Sequence, residues 1–389
     1  MAKMDQLRAE ETERRLQAAL ADGALPGESE GFDDQAAQDA ARFMTAALAV
    51  RMPGMPVIEI GRVASAATPG APKSGGRALR IAIINDDMPF LVDSIANCLA
   101  TEGVVIRRLM HPVLGVERDS MGALVRILPK DSPGARRESA IFIEIEQVTA
   151  RQADRLEAAL SSMLTHVRAA VRDWGRMQEA LAADAERVSD DEGAALLRWM
   201  LDRNFTQTGH QLCRRDGKCE AAVGICALEG VEPLLAPASI EAAYSWFEEG
   251  GRTPLIIKSN QSSKVHRTSL IDLLIVPVRE GKTISALSVH AGMWTSAALA
   301  SPPDRVPILR SALNTLMEKH HFDPSGHAGK ALFHALTALP HDILIGFDRA
   351  TLERLALTFM SLADRPRPKL VLAAAPLSRH LYAFVWLPR

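Results

Sequence analysis

The stretch "NDDMPFLVDSI", residues 85–95, sets two adjacent carboxylates before a proline and an apolar run at helical spacing. Acids at such a corner can do two things. They can cap the orphan N–H groups of the helix's first turn. They can also meet the ammonium of an amino acid whose own carboxylate docks on those N–H groups. Asn85, Asp86, Asp87, Met88, Phe90 and Leu91 therefore form a first candidate ligand-binding set, with Asp87 as a candidate cap and Pro89 in the first turn. A second polar constellation is "IKSNQSSKVHR", residues 257–267. Lys258, Asn260, Lys264, His266 and Arg267 could hold a carboxylate or phosphate by charge-assisted bonds, or form an ordinary solvated loop.

Other chemistries find no pattern. No G-x-G-x-x-G follows a strand, and no G-x-S-x-G elbow exists. Around Gly329 and Lys330 a P-loop is approached, but Pro324 takes the first glycine position and Ala331 replaces the Mg²⁺-binding hydroxyl. His320, His321 and His327 cluster without a zinc-binding spacing and read as solvated loop histidines. Cys98, Cys213, Cys219 and Cys226 include no C-x-x-C and read as reduced, largely buried thiols. No catalytic residue, metal ligand or cofactor is assigned.

As for the elements that must position these residues, a chain of 389 residues suggests two or three domains. A net charge of −2 and an aromatic content of 5% argue against nucleic-acid binding. No apolar run approaches the ~20 residues of a membrane span, and the charged N-terminus lacks a signal-peptide core, so a cytoplasmic protein is expected. Helices are expected over 5–22 and 33–51, the second with Phe43, Ala47 and Val50 on one stripe. A Pro/Gly/Ser-rich linker follows at 64–76. Leu79, Ile81 and Ile83 then alternate as a strand, and Val92, Ile95, Ala96 and Leu99 make a helix face. "VVIRRLMHPVLGVERD" reads as one long strand. In "SAIFIEIEQV", Ile141, Ile143 and Ile145 alternate with glutamates, as in a sheet with one wet side. A long amphipathic helix follows, giving a split βαβ order that lacks its last strand.

A second unit begins near Ser189, which stands at capping-box spacing from Glu192. Mainly antiparallel strands follow, with turns at Asp216–Gly217 and Glu280–Gly281. Three amphipathic helices come next, near 305–319, 329–339 and 348–363. The chain closes on two strands around "PLSR", marginal as an isolated pair, as if a further domain had been cut in half.

"INDDMPFLVDSI" resembles the first-domain signature of the large bacterial NAD-dependent glutamate dehydrogenases. "HPVLGVERDSMG", "ESAIFIEIEQV", "LLRWMLDRNFTQTGH", "IIKSNQSSKVHRTSLIDLLIV", the 294–332 stretch and "ALPHDILIGFDRATLERLA" are similar to that family in the same order. The resemblance implies an α+β chain in four parts: N-terminal helices and linker (1–76), a ferredoxin-like ACT domain (77–186), a PAS-like antiparallel α+β domain (187–330), and helices with the first half of a further ACT-type domain (331–389). It implies a noncatalytic regulatory or oligomerisation segment, with no cofactor of its own and NAD in the parent enzyme. Partners would be the catalytic part of the parent chain, further copies and an amino-acid effector, without nucleic acid or membrane. ACT modules often bind amino acids at the corner that "NDDMPFLVD" occupies, though Phe90 stands where many of them carry glycine. A pure assembly scaffold is the alternative. "NFTQTGH" departs from a more apolar family version.

Overall fold

The computed structural model describes residues 2–22, 27, 31–62, 79–146, 148–363 and 365–387, and the linker expected at 64–76 lies outside them. The chain divides into two units, Met1–Arg168 with Lys264–Thr268, and Ala169–Ser263 with Ser269–Arg389. No helix among the described residues is long and apolar enough to cross a membrane.

The first unit opens with helices α1 (Ala2–Asp22) and α2 (Asp34–Leu48), the latter capped by the Asp33 carboxylate. Strands β1 (Val57–Arg62) and β2 (Leu79–Asp86), helix α3 (Leu91–Thr101), strands β3 (Ile106–Met110), β4 (Val113–Arg118), β5 (Leu124–Leu128) and β6 (Arg136–Ile145), and helix α4 (Ala150–Arg172) follow. The sheet order is β1-β2-β6-β4-β5, with β3 also on β6.

Four expectations change. The strand missing from the split βαβ pattern precedes it: β1 pairs antiparallel with β2 from Val57↔Ile84 to Arg62↔Leu79. The single long strand is two, β3 and β4, both against β6. Pro112 has no N–H for the ladder, so the strand breaks there, although its carbonyl still accepts from Ala140. The sheet has no wet side at its centre. Ala82, Ile84, Ala140 and Phe142 form one core with Leu16, Leu20, Ala40, Ala41, Met44 and Leu48. Ile81, Ile83, Ile141 and Ile143, which alternate with them, are fully buried as well. Helices α3 and α4 supply buried apolar stripes in the same unit, through Ile95 and Leu99 and through Leu160 and Val167. Finally, the buried stripe of α2 is Ala40, Ala41, Met44, Ala47 and Leu48 rather than one through Val50, because the helix ends at Leu48. Val50 is 56% exposed and makes an isolated bridge to Ala123.

The second unit starts with α5 (Trp174–Arg187) and α6 (Asp191–Trp199). Its five-stranded antiparallel sheet comprises β7 (Phe205–Cys213), β8 (Cys219–Gly224), β9 (Leu255–Ser262), β10 (Leu270–Glu280) and β11 (Thr283–Trp294), with helix α7 (Pro237–Glu248) between β8 and β9. The order is β8-β7-β11-β10-β9. Helices α8 (Ser296–Leu299), α9 (Leu309–Lys319), α10 (His327–Ala338), α11 (His341–Leu344) and α12 (Arg349–Ala363) then lead to the hairpin β12 (Lys369–Ala374) and β13 (Leu381–Trp386). One core joins Leu181, Phe205, Leu274 and Trp294 to Leu309, Leu332 and Leu355 of the late helices. Val371 and Ala373 of the hairpin belong to that core, whereas Leu370, Leu381 and Val385 are exposed.

Two local expectations are corrected. Asp190, not Ser189, caps α6, accepting from the Gly193 N–H at 2.8 Å. Cys213 and Cys219 are bridged by a disulfide rather than left as reduced thiols, because they face each other across the β7–β8 hairpin with Cα atoms 4.1 Å apart. Cys98 and Cys226 are free.

Candidate functional site

The corner between β2 and α3 has a different internal logic from a cap. Helix α3 begins after Phe90, which adopts a left-handed φ of 71°, and no side chain caps it. Asp87 therefore does not cap, and Pro89 lies before the helix. The Asp87 carboxylate instead accepts from Arg137 Nε at 3.0 Å and Ser139 Oγ at 3.1 Å. Asp86 lies between two guanidinium groups, Arg51 at 2.6 Å on one oxygen and Arg168 on the other. Burial works to raise the Asp86 carboxyl, but the two arginines outweigh it and hold it below the ordinary range. Asn85 Oδ1 accepts from the same Arg168.

Behind this pair lies a buried charge cluster. Glu138 is fully buried on β6 and accepts from Arg51 at 2.8 Å and from both ends of the Arg118 fork at 2.8 Å. Burial raises the Glu138 carboxyl, and the Arg118 and Arg51 bonds reverse that and keep it ionised. Arg51, Asp86, Glu138, Arg118 and Arg168 thus tie the segment after α2, β2, β6, β4 and α4 into one network.

Of the second candidate set, Lys264 and His266 group with the first unit. The His266 N–H donates to Ser94 Oγ at 2.8 Å, its ring lies 3.1 Å from Asp93, and Phe90 lies against it with centroids 5.5 Å apart. Lys264 donates to Ser162 at 2.9 Å. Arg267 donates its backbone N–H to the Val265 carbonyl. The second unit holds Lys258 and Asn260. Lys258 sits between Asp272 at 2.6 Å and Asp342 at 2.5 Å. Burial pushes the Asp272 carboxyl up to about 6, against the pull of that lysine. Asn260 accepts from Arg379 at 3.2 Å. The five residues of the second set therefore do not form one anion loop. Met88 and Leu91 flank the corner without a polar role, and Leu91 is buried.

A polar cluster that sequence spacing does not suggest lies inside the second unit. Asp184 of α5, His210 of β7 and His290 of β11 are all buried, with one donor atom from each within 4.8 Å of the others. His210 and His290 are register partners with stacked rings 4.6 Å apart. Gln207 Nε2 donates to His290 Nδ1 at 2.9 Å, which leaves the proton on Nε2 to meet Asp184 at 2.7 Å. Ser288 Oγ is 2.9 Å from His210 Nε2 and 3.3 Å from His290 Nε2. Burial, reinforced by His290, pushes His210 down to about 4. Two nitrogens and a carboxylate match a divalent-ion donor set. Here Asp184 and His290 already bond each other, His210 is engaged by Ser288, and Arg187 also holds Asp184. A serine-type triad is excluded by geometry: Asp184 and Ser288 address the same ring nitrogen, where the mechanism needs opposite ones. The available signal is polar residues within apolar strands, "NFTQTGH" and "LSVHAG". The histidines singled out from sequence are placed otherwise, with His320 bonded to Glu353 at 2.7 Å.

Comparison with known proteins bears on the same elements. The family model for the glutamate dehydrogenase ACT1 domain matches residues 40–160, and that for glutamate dehydrogenase helical motif 1 matches residues 306–365. The first match thus takes in β1 and every corner residue from Arg51 to Glu138. The chain is 28% identical over 338 residues to the NAD-specific glutamate dehydrogenase of Halomonas elongata, covering 79% of this chain and 21% of that protein. It is 27% identical to the Pseudomonas aeruginosa protein of the same description, over 79% of this chain and 20% of that one. The Mycobacterium tuberculosis counterpart is 23% identical, over 82% and 20%. The chain spans about a fifth of the length of the curated relatives it matches.

Proposed function

Since this chain belongs with the NAD-dependent glutamate dehydrogenases, in their N-terminal region, we propose that it is a noncatalytic regulatory and assembly segment of such an enzyme. The whole enzyme would convert L-glutamate, NAD⁺ and water to 2-oxoglutarate, ammonium and NADH in the cytoplasm, with NAD held outside this segment. On this reading, the ACT-like unit expected over 77–186 also takes in β1, while α5 packs with the PAS-like unit expected over 187–330, and 331–389 lead into a further ACT-type domain. The five-stranded antiparallel sheet of the second unit supports the PAS-like description. The partners are the catalytic part of the parent and further copies of the chain.

The assembly emphasis rests on how the corner acids are used. Both are bonded to arginine side chains, Asp86 to Arg51 and Arg168, Asp87 to Arg137. A carboxylate already paired with guanidinium must break those bonds to receive an ammonium. The corner is therefore a joint between elements.

Amino-acid sensing at the corner is the second reading. It is favoured by Arg137, the partner of Asp87, being about half exposed, so that solvent weakens this pair relative to the enclosed Arg51 pair of Asp86. Calorimetry with a panel of amino acids separates the two readings. No saturable heat that depends on Asp87 is expected. A saturable signal that disappears in Asp87→Ala would replace the assembly reading with the sensing one.

A further inference from the structure

A cavity of about 780 Å³ lies wholly within the second unit, in the size range of small-molecule sites. Its charged lining is unusual in what is left over after internal pairing. Three acids line it, and each is already engaged. Asp190 caps α6 through Gly193, Glu192 accepts from Arg310 at 2.7 Å and from the Ile308 N–H at 2.8 Å, and Asp348 accepts from the Thr351 N–H at 2.7 Å. Arg187, also in the lining, is paired with Asp184. Three further arginines remain. Among the described residues, no carboxylate lies within 4 Å of Arg252, Arg279 or Arg349, all of which line the cavity.

Arg252 is the sharpest case. One terminal nitrogen donates to the Ile345 carbonyl, and its Nε is buried with no partner. Burial, with Arg349 nearby, moves its guanidinium below the ordinary arginine range, and Asp190 and Asp348 only partly offset that. A half-buried guanidinium whose Nε is enclosed without a partner is costly, and the local backbone is nevertheless built to hold it there. Trp246 Nε1 donates to the Arg252 carbonyl at 3.1 Å, and a Cβ on Gly251 would stand 2.3 Å from that same indole nitrogen. A Cβ on Gly193 would stand 2.1 Å from the Thr253 carbonyl. The segment carrying Arg252 is thus clamped on both sides. The first turns of α6, α9 and α12 also contribute residues to the cavity wall, and each brings the positive end of its dipole.

We propose that this cavity binds a small organic or inorganic anion carrying two or more negative charges, held by Arg252, Arg279 and Arg349. Guanidinium forks pair bidentately with carboxylates and phosphates alike, so the shared chemistry is a planar or tetrahedral oxyanion. Val276, Pro277, Phe347 and Leu352 line the same space and suit a short carbon skeleton between the charges. Within the regulatory reading above, this would be the effector site. The binding claim itself does not rest on that reading.

The test is calorimetry on the whole chain with inorganic pyrophosphate and with malonate, each at low ionic strength and against matched sodium chloride. Saturable one-site binding of at least one probe is expected. Pyrophosphate binding more tightly assigns a phosphorylated ligand, and malonate binding more tightly a dicarboxylate. Arg252→Met and Arg349→Met should each weaken binding at least tenfold, while Arg14→Met on α1 leaves it unchanged. The bound anion should raise the melting temperature of the parent chain and not that of Arg252→Met, which also reports whether that variant folds. No saturable heat with either probe overturns the proposal. Binding that survives in both arginine variants overturns it equally. Neither result depends on whether the chain turns over glutamate.

Discussion

The Glu138 cluster shows how far side-chain roles can lie from their sequence neighbourhood. From sequence Asp86 looks available, because its neighbours are Asn85 and Asp87, yet its partners are Arg51 and Arg168, 35 and 82 positions away. No local spacing rule reaches that distance, so the residue types at the corner are legible and their use is not. The same holds for Asp184 and His290, 106 positions apart. Glu138→Ala leaves the Arg51 and Arg118 guanidinium groups buried without their carboxylate, and should cost about 3–5 kcal/mol in chemical denaturation. A loss under ~1 kcal/mol would mean that the cluster is solvated. His210 supplies a pH signature. Its folded value of about 4 lies below the ordinary 6.5, so the unfolded chain binds a proton there that the folded chain refuses. Stability should fall as pH drops from 6.5 towards 4, by on the order of 3 kcal/mol from this residue. His210→Gln keeps a donor near Ser288 and removes the titration. Urea midpoints of the variant should vary less across that window, and parallel profiles for the two proteins would contradict the assignment.

Elements are more legible than residues, for a physical reason: apolar periodicity depends on burial, and burial acts along each segment. Helix α3, strand β2, the hairpin turns at Gly217 and Gly281, and the leucine stripes of α9, α10 and α12 follow the pattern read from sequence, and β6 lies at its expected position although both its faces are buried. The exceptions are elements whose partners decide their nature. Strand β1, VIEIGR, sets Val57 beside Ile58 and carries Gly61, so strict alternation does not separate it from a loop before it meets β2. Ala82, Ile84 and Ala140 are small or ambiguous on a face whose burial depends on α1 and α2 arriving. Met44 tests that layer directly. It is fully buried, so Met44→Ala should cost about 2–5 kcal/mol by thermal or urea unfolding. A change within ~0.5 kcal/mol would show that α2 does not cover the sheet. Helix α9 adds a different lesson. Its apolar stripe points to a start near residue 305, and it begins at Leu309 because Ile308 takes a left-handed φ of 72° and gives its N–H to Glu192. That side-chain acceptor lies 116 positions back, again beyond any local rule.

At the scale of the chain, the two units put their chemistry to structural use wherever the pairing is visible. Carboxylates at the ACT-like corner meet arginines, and the buried histidines of the second unit meet Asp184, Gln207 and Ser288. The family matches and this internal use of polar groups support the proposed role of a segment that serves a dehydrogenase without performing its reaction. The most direct measurement is NADH formation by the purified 389-residue chain supplied with L-glutamate and NAD⁺. A noncatalytic role predicts absorbance at the level of the protein-free blank at every chain concentration. A steady rate proportional to chain concentration would contradict it.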